Sequence, residues 1–266
     1  MLFLILVTVL LFCKHNTQAF FSADSDILHS YHLNDSVPLV VNKITSAKTQ
    51  LPFAYEELPF VCPSNDNTRK QQRSLVNLGH ILQGDRYMKS RSELKLGHAI
   101  YCNQLCTVKL NERDVELAKE LIRLDYRVEW LVDGLRGLSQ DNSNTQHRKW
   151  LPQLKMGYVD KFTSKTFLYN HFNLHLQYQA HPTDASTKYI VGFEVYPSAI
   201  HNANTCIVSP NSTATELGAS AFLHYTYSVS WEEVGAVWSC SKTVKTHFVS
   251  VENHHMEHSL ESLSTA

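Results

Sequence analysis

The 266-residue chain has almost no net charge, −1 at pH 7, and no run of Lys or Arg longer than two. A nucleic-acid surface or an anionic membrane surface calls for a concentrated basic field, so neither partner is expected. Past the first residues, no stretch supplies the ~18 apolar residues that a membrane helix requires. The most apolar windows, Phe167–Tyr178 and Tyr189–Val195, are short and broken by His, Asn or Glu. Also missing are a Gly-x-Ser-x-Gly turn, a phosphate loop and a Cys–His nucleophile signature. Glu56-Glu57 and Glu232-Glu233 are adjacent carboxylates. Neighbours in an extended chain face opposite ways, so neither pair makes an acid/base dyad by itself. No enzyme and no cofactor is expected.

What is present begins with Leu2–Phe12, an apolar run interrupted only by Thr8. It has the length of a signal peptide, and Thr17-Gln18-Ala19 suits cleavage after Ala19. The expected organisation is therefore a signal peptide over 1–19, a β-rich domain over 20–250 and a disordered, polar tail over 251–266. The one linker-like stretch, Gly137–Lys149, is read as a surface loop of a single composite domain.

Five cysteines remain after cleavage: Cys62, Cys102, Cys106, Cys206 and Cys240. In an oxidising compartment most should pair, and the odd count leaves at least one over. Cys102 and Cys106 are four apart. In a strand that places them roughly 13 Å from each other, too far for a bond, so either a tight loop joins them or one of them reaches Cys62. A zinc site would need a second pair of ligands at matching spacing, and none is evident. The same compartment makes Asn34-Asp35-Ser36 and Asn211-Ser212-Thr213 glycosylation candidates, at Asn34 and Asn211.

Histidine is the other possible ligand. His171, Asn173 and His175 share one face of a strand, and two histidines there would hold a metal only with a third ligand from elsewhere. The plainer reading is a solvated strand face. His254, His255 and His258 fall in the tail. No metal site is expected.

Periodicity makes the rest mainly β with a helical insertion, an antiparallel β-sandwich-like arrangement. Strands are expected over Val37–Thr45, His98–Leu110, Tyr126–Leu135, Tyr189–Pro197 and Ala221–Trp231. In Phe172–Tyr178, apolar Phe172, Leu174, Leu176 and Tyr178 alternate with polar residues. Asn77–Arg86 reads as a hairpin or strand–turn. Asn111 caps one helix, Asn111–Leu124, with Val115, Ala118, Leu121 and Ile122 on its apolar face.

The segment Val41–Phe60, VNKITSAKTQLPFAYEELPF, holds two Leu-Pro-Phe triplets, Leu51-Pro52-Phe53 and Leu58-Pro59-Phe60. Each proline fixes φ and removes a donor, so the segment is an extended strap that lays Phe53, Tyr55 and Phe60 on a surface. The triplets are expected to be structural, seating against the sandwich rather than contacting a ligand.

That strap resembles the "VNKLTS…TQLPY…YY.LPF" line of the nonaspanin, or transmembrane-nine, family. Six further segments follow in the family's order: NLGHILQGDR (Asn77–Arg86), CNQLC (Cys102–Cys106), YRVEWLVDGL (Tyr126–Leu135), YNHFNLHLQY (Tyr169–Tyr178), YIVGFEVYPSAIH (Tyr189–His201) and FLHYTYSVSWEEVGAVWS (Phe222–Ser239). Four departures stand out. Phe20-Phe21-Ser22-Ala23 stands where the family opens its mature chain with Tyr-Leu-Pro-Gly. Val61 displaces the cysteine after the second triplet, and His80 stands where the family line has glutamate. Ser239-Cys240-Ser241-Lys242 replaces the Arg-Trp-Asp that leads into the first membrane helix. The resemblance implies a non-enzymatic lumenal domain of a family implicated in sorting membrane proteins in the Golgi–endosome system. Its partners would be membrane-protein cargo or other lumenal proteins. The alternative is a secreted, lectin-like β-sandwich binding protein without the membrane region.

Overall fold

The computed structural model describes residues 29–49, 51–63, 82, 84–141, 149–200, 206, 216–218 and 221–235. Pro38 separates β1 (Ser36–Val37) from β2 (Leu39–Thr45), as a residue without an N–H must. A 3₁₀ turn, Tyr55–Glu57, lies in the strap. β3 (Met88–Lys89), β4 (Leu94–Lys95) and β5 (Ile100–Leu110) lead to the helix α1 (Glu112–Arg123). Then follow β6 (Arg127–Val132), β7 (Leu135–Arg136), β8 (Ser139–Asp141), β9 (Lys149–Leu151), β10 (Leu154–Lys155), β11 (Gly157–Val159) and β12 (Thr166–Leu168). Three long strands close the described chain: β13 (His171–Ala180), β14 (Lys188–Ser198) and β15 (Ala221–Glu233).

Two sheets dominate. One has the order β14-β13-β15-β5, and the other β10-β6-β2-β3 with β7 on β6. The fold is mainly β with one helix among the described residues, and most pairs are antiparallel. The β13–β15 pair is parallel, with His171 opposite Thr226 and Tyr178 opposite Glu233, so the sheet is mixed rather than purely antiparallel. The reason is connectivity: β14 returns antiparallel along one side of β13, and the chain then re-enters on β13's other side, between β13 and β5.

The inner faces share one contiguous buried cluster. Trp130 of β6 meets Phe172 of β13 with ring centroids 4.6 Å apart, and Phe172 stacks on Tyr225 at 6.4 Å. The Trp130 indole N–H is buried without a hydrogen-bond acceptor among the described residues. The turn between β6 and β7 is Asp133-Gly134, with φ of 52° and 76°. Positive φ at both central residues matches the type I′ turns that suit strand twist.

The helix forms as its sequence predicts. Asn111 Oδ1 accepts from Asp114 N at 3.0 Å, and Asp114 Oδ2 accepts from Asn111 N at 3.0 Å. This reciprocal cap satisfies donors that the first turn leaves open. Val115, Ala118, Leu121 and Ile122 are the buried residues of α1, and the helix lies against β5, β11 and β12. At Gly157 of β11, a Cβ would lie 2.1 Å from the Phe167 carbonyl oxygen and 2.8 Å from Ile122 Cδ1. Backbone cannot yield that far, so Gly157→Ala is expected to cost about 1–3 kcal/mol, read as a lower urea midpoint at unchanged m.

The strap is not extended throughout, because Glu57 Oε2 accepts from Ala54 N at 2.9 Å and folds the 3₁₀ turn between the triplets. The Gly137–Lys149 stretch is not simply a surface loop. Gly137 packs on Phe193 and Val195. Leu138 bonds both sides of Glu194, donating to Phe193 O at 3.0 Å and accepting from Val195 N at 2.8 Å, and β8 follows. This segment covers part of the outer edge of β14, an edge that would otherwise stand open for pairing. Residues 142–148 lie outside the described residues, as do the expected signal peptide, the tail and most of Asn77–Arg86.

Candidate functional site

The strap is fastened at three levels. Phe53 and Ile44 exchange backbone hydrogen bonds of 2.8 and 2.9 Å, and Phe53 lies 5.4 Å from the Tyr126 ring. Leu58 and Phe60 are buried in the main core, while Leu51, Pro52 and Pro59 face outward. The Tyr225 hydroxyl, wholly inside, donates to the Phe60 carbonyl. Burial pushes this phenol far above its ordinary range, with Tyr55 nearby adding to the effect. Cys62 then bonds Cys106 of β5. Phe53, Leu58 and Phe60 thus sit against the fold, and Leu51, Pro52 and Pro59 do not.

The cysteines pair as Cys62–Cys106 and Cys102–Cys206, and Cys240 lies outside the described residues. The residues four apart therefore reach two different partners. The cause is irregularity in β5. Cys106 stands opposite Tyr225, but Gln104 stands opposite Thr226, so one extra residue is inserted between them. A bulge of this kind inverts the alternation. Cys106 joins the buried side, whereas Cys102, at φ 51°, donates its N–H to the Ser228 hydroxyl at 3.0 Å.

Three of the sequence segments quoted above also meet. Asn42, fully buried in β2, donates from Nδ2 to Asp85 Oδ1 at 3.0 Å and to Glu129 Oε2 at 2.8 Å. Its Oδ1 accepts from Arg86 N and Lys43 N, both at 2.8 Å. Lys43 pairs with Asp85 at 2.8 Å, Arg136 with Glu129 at 2.9 Å and Arg86 with Glu57 at 2.9 Å. Charges cancel around a neutral amide that uses both its donors and its acceptor. Such a network fixes structure rather than performing chemistry. Asn42 stands in the VNKITS run, but its partners Asp85 and Glu129 are distant in sequence.

The outer face of the four-stranded sheet is polar. His171 is not on a solvated face as expected; it is 1% exposed. Its Nδ1 lies 2.8 Å from Thr226 Oγ1 and its Nε2 lies 3.0 Å from Asn173 Oδ1. Next to it Asn170 holds Ile200 by two hydrogen bonds, and Cys206 is tied to Cys102, whose N–H bonds Ser228. His175 remains accessible, 3.0 Å from Ser230 Oγ and 3.4 Å from Glu232 Oε2. Among the described residues, no three His, Cys, Asp or Glu are grouped to hold a metal. Glu232 also accepts from Gln177, while Glu233 pairs with Lys188 at 2.7 Å. His254, His255 and His258 are outside the described residues.

Burial holds the His171 imidazole below its ordinary range, partly offset by the bond to Asn173. The unfolded chain then takes up a proton at a pH where the folded chain does not. This residue's stabilising effect is complete above the unfolded value of about 6.5 and declines as pH falls toward the folded one. His171→Gln is expected to flatten the loss of stability between pH 7 and 5, measured by urea unfolding at both. An unchanged slope contradicts this assignment.

At the β14 edge lies a polar cleft of about 90 Å³, walled by β8, β10 and β14. Arg127 Nη2 donates to Asp125 Oδ2 at 2.8 Å and to Asp141 Oδ2 at 3.0 Å, and Lys155 Nζ reaches Asp141 Oδ1 at 2.9 Å. Burial opposes the Arg127 charge, but the hydrogen bonds to both carboxylates outweigh it and hold the guanidinium above its usual range. Burial raises the Tyr169 phenol to about 12, with Tyr158 and Asp141 adding to it, so it is a hydroxyl at neutral pH. Tyr196 stands at the rim, 40% exposed, with its hydroxyl on Glu194 at 2.6 Å and Trp150 edge-on at 6.0 Å. Arg127, Tyr169, Glu194 and Tyr196 lie in the family-like segments, whereas Asp141, Trp150 and Lys155 lie outside them.

Asn34 occupies an exposed turn at φ 71°, with its amide donating to Leu96 O. Its side chain is open to a transferase. Peptide N-glycosidase is expected to shift the chain on a gel, and Asn34→Gln is expected to remove that site's share of the shift. Asn211 and the cleavage position after Ala19 lie outside the described residues.

The profile of the Endomembrane protein 70 family matches residues 52–265. Transmembrane 9 superfamily member 3 of Saccharomyces cerevisiae is 35% identical over 211 residues, 76% of this chain and 29% of that protein. Member 10 of Arabidopsis thaliana is 29% identical over 233 residues, covering 79% of this chain and 36% of that protein. Member 4 of Homo sapiens is 29% identical over 237 residues, with the same two shares of 79% and 36%. The chain spans about a third of the length of these relatives. No helix among the described residues is long and apolar enough to cross a membrane. A family profile matched over most of the chain, together with these relatives, places the chain in the endomembrane protein 70 family, the transmembrane 9 superfamily.

Proposed function

We propose that this chain is a non-enzymatic lumenal domain that takes part in sorting and localising membrane proteins in the Golgi–endosome system. The observation that carries the reading is the pair of disulfides, Cys62–Cys106 and Cys102–Cys206, inside the matched region. Disulfides of this kind persist in oxidising compartments, of which the lumen of the secretory pathway is one. They stiffen a β scaffold whose cleft and outer sheet face offer polar surface for recognition. Its partners are membrane-protein cargo or other lumenal proteins.

The test is deletion of the gene encoding the chain, followed by quantification of membrane proteins in Golgi, endosome and surface fractions. A discrete set of membrane proteins is expected to leave its resident fraction and to return when the gene is restored. An unchanged distribution refutes the sorting role. The second reading is a secreted binding protein, in which the same two disulfides would also persist. An alkaline carbonate wash of cell membranes separates the two: retention in the pellet supports a membrane-borne domain, and full release supports the secreted one.

A further inference from the structure

The cleft at the β14 edge is built from groups with unequal commitments. Its charges are all engaged. Arg127 is held by Asp125 and Asp141, and Lys155 by Asp141. Among the described residues both cations are held by carboxylates, so neither Arg127 nor Lys155 stands open to an anionic ligand. Its neutral groups are not engaged in the same way. The Gln140 carboxamide and the Tyr169 hydroxyl of its lining have no hydrogen-bond partner among the described residues, nor has the indole N–H of Trp150, which lies outside the lining beside Tyr196. Gln153 uses only its amide nitrogen, in a 3.3 Å bond to Thr45 Oγ1. Half-buried polar groups that the fold leaves unpaired are available to water or to a ligand.

The rim adds apolar faces. Tyr196 and Trp150 meet edge-on across it, both partly exposed. An aromatic ring with a polar tip suits a partner that is apolar on one side and wet on the other. The volume sets the scale. At about 90 Å³ the cleft is well below the pockets that enclose drug-sized ligands. It has room for one small ring or part of one, with anything larger continuing outside.

A neutral ligand that is small, carries several hydroxyls as donors and acceptors, and presents C–H faces to aromatic rings is a sugar. We propose that this cleft is a subsite for a terminal, uncharged sugar residue of a glycan. In it Gln140 and Tyr169 bond the hydroxyls, and Trp150 and Tyr196 cover the C–H face. The inference deepens the recognition role proposed above and rests on it, by naming the ligand class that the domain would read on a glycosylated lumenal partner.

The probe is an array of glycans with uncharged terminal hexoses or N-acetylhexosamines, alongside the same glycans capped with sialic acid or sulfate. The full chain is applied to it. Binding is expected on uncapped glycans and is expected to fall about ten-fold in Gln140→Ala, the loss of roughly one hydrogen bond. Trp150→Ala, which removes the apolar cover, is expected to lower it at least as far. Urea midpoints of both variants, matching the parent, show that folding is intact. Gln140→Glu supplies a variant of nearly the same shape and is also expected to lose binding. No binding to any uncapped glycan, binding confined to capped ones, or binding indifferent to all three substitutions overturns the proposal. A silent array with cargo still displaced by gene deletion removes the sugar subsite alone. Unmoved cargo with a responsive array removes the sorting role alone.

Discussion

Asn42→Ala is expected to lower the unfolding free energy by about 3–5 kcal/mol, among the largest effects of any single substitution in the chain. The side chain is fully buried and donates to two carboxylates, Asp85 and Glu129. A hydrogen bond to a charged group contributes about 1.5–3 kcal/mol, and both are lost together. The carboxylates are then left facing each other without the amide between them, while Arg86 N and Lys43 N lose their acceptor. Asn42→Asp sharpens the result. It keeps the shape and adds a third negative charge beside two others. The introduced carboxyl would hold its proton more tightly in the folded state than in the unfolded one. Its variant should therefore approach the parent as pH falls to the unfolded value of about 3.9 and diverge from it as pH rises toward 7. Urea unfolding at several pH values checks both. A loss under about 1 kcal/mol for Asn42→Ala would mean that the network does not hold the two segments together.

The second large effect is expected from Cys102→Ser combined with Cys206→Ser. The bond ties β5, at one edge of the four-stranded sheet, to the chain that follows β14, at the other edge. Its partners are 104 residues apart in sequence. Opening a loop of roughly that length returns about 4.7 kcal/mol of freedom to the unfolded chain in the entropy treatment, and native disulfides are typically worth about 2–5 kcal/mol. Against a usual total of about 5–15 kcal/mol, this removes a large share of stability. The measurement is the urea midpoint of the double variant under oxidising conditions. His171 offers a local readout, since Cys102 is anchored at Ser228, whose hydroxyl lies 3.5 Å from His171 Nε2. Loosening that end should raise the imidazole toward its ordinary range, visible by NMR titration. A midpoint within error of the parent contradicts the assigned role of this bond.

Much of the fold was legible because it obeys simple periods. The helix declared itself by four apolar residues on one face and by Asn111 as its cap. β13 declared itself by strict alternation. What escaped were features that depend on partners far away in sequence. A uniform strand puts Cys102 and Cys106 on one face, and the extra residue at Leu105 that separates them has no sequence marker. His171 reads as one of a row of polar side chains, and its partners on the neighbouring strand, Thr226 and Ser228, are 55 and 57 residues away in sequence. Asn42 sits 43 residues from Asp85 and 87 from Glu129, so the site they share appears only once β2 and β6 are paired. The cleft was hidden for the same reason: Gln140 and Trp150 lie in and beside a polar stretch that composition marks as a linker, and β14 supplies the opposite wall. The family line was legible throughout, since it is carried by order and spacing rather than by contact.

The central claim is that this disulfide-tied domain faces the lumen. The most direct measurement is trypsin digestion of sealed microsomes from cells producing the chain, with its peptides quantified before and after detergent opens the vesicles. The account expects peptides from residues 29–235 to survive in sealed vesicles and to disappear once detergent is added. Equal loss with and without detergent would place the domain on the other side of the membrane and contradict the account.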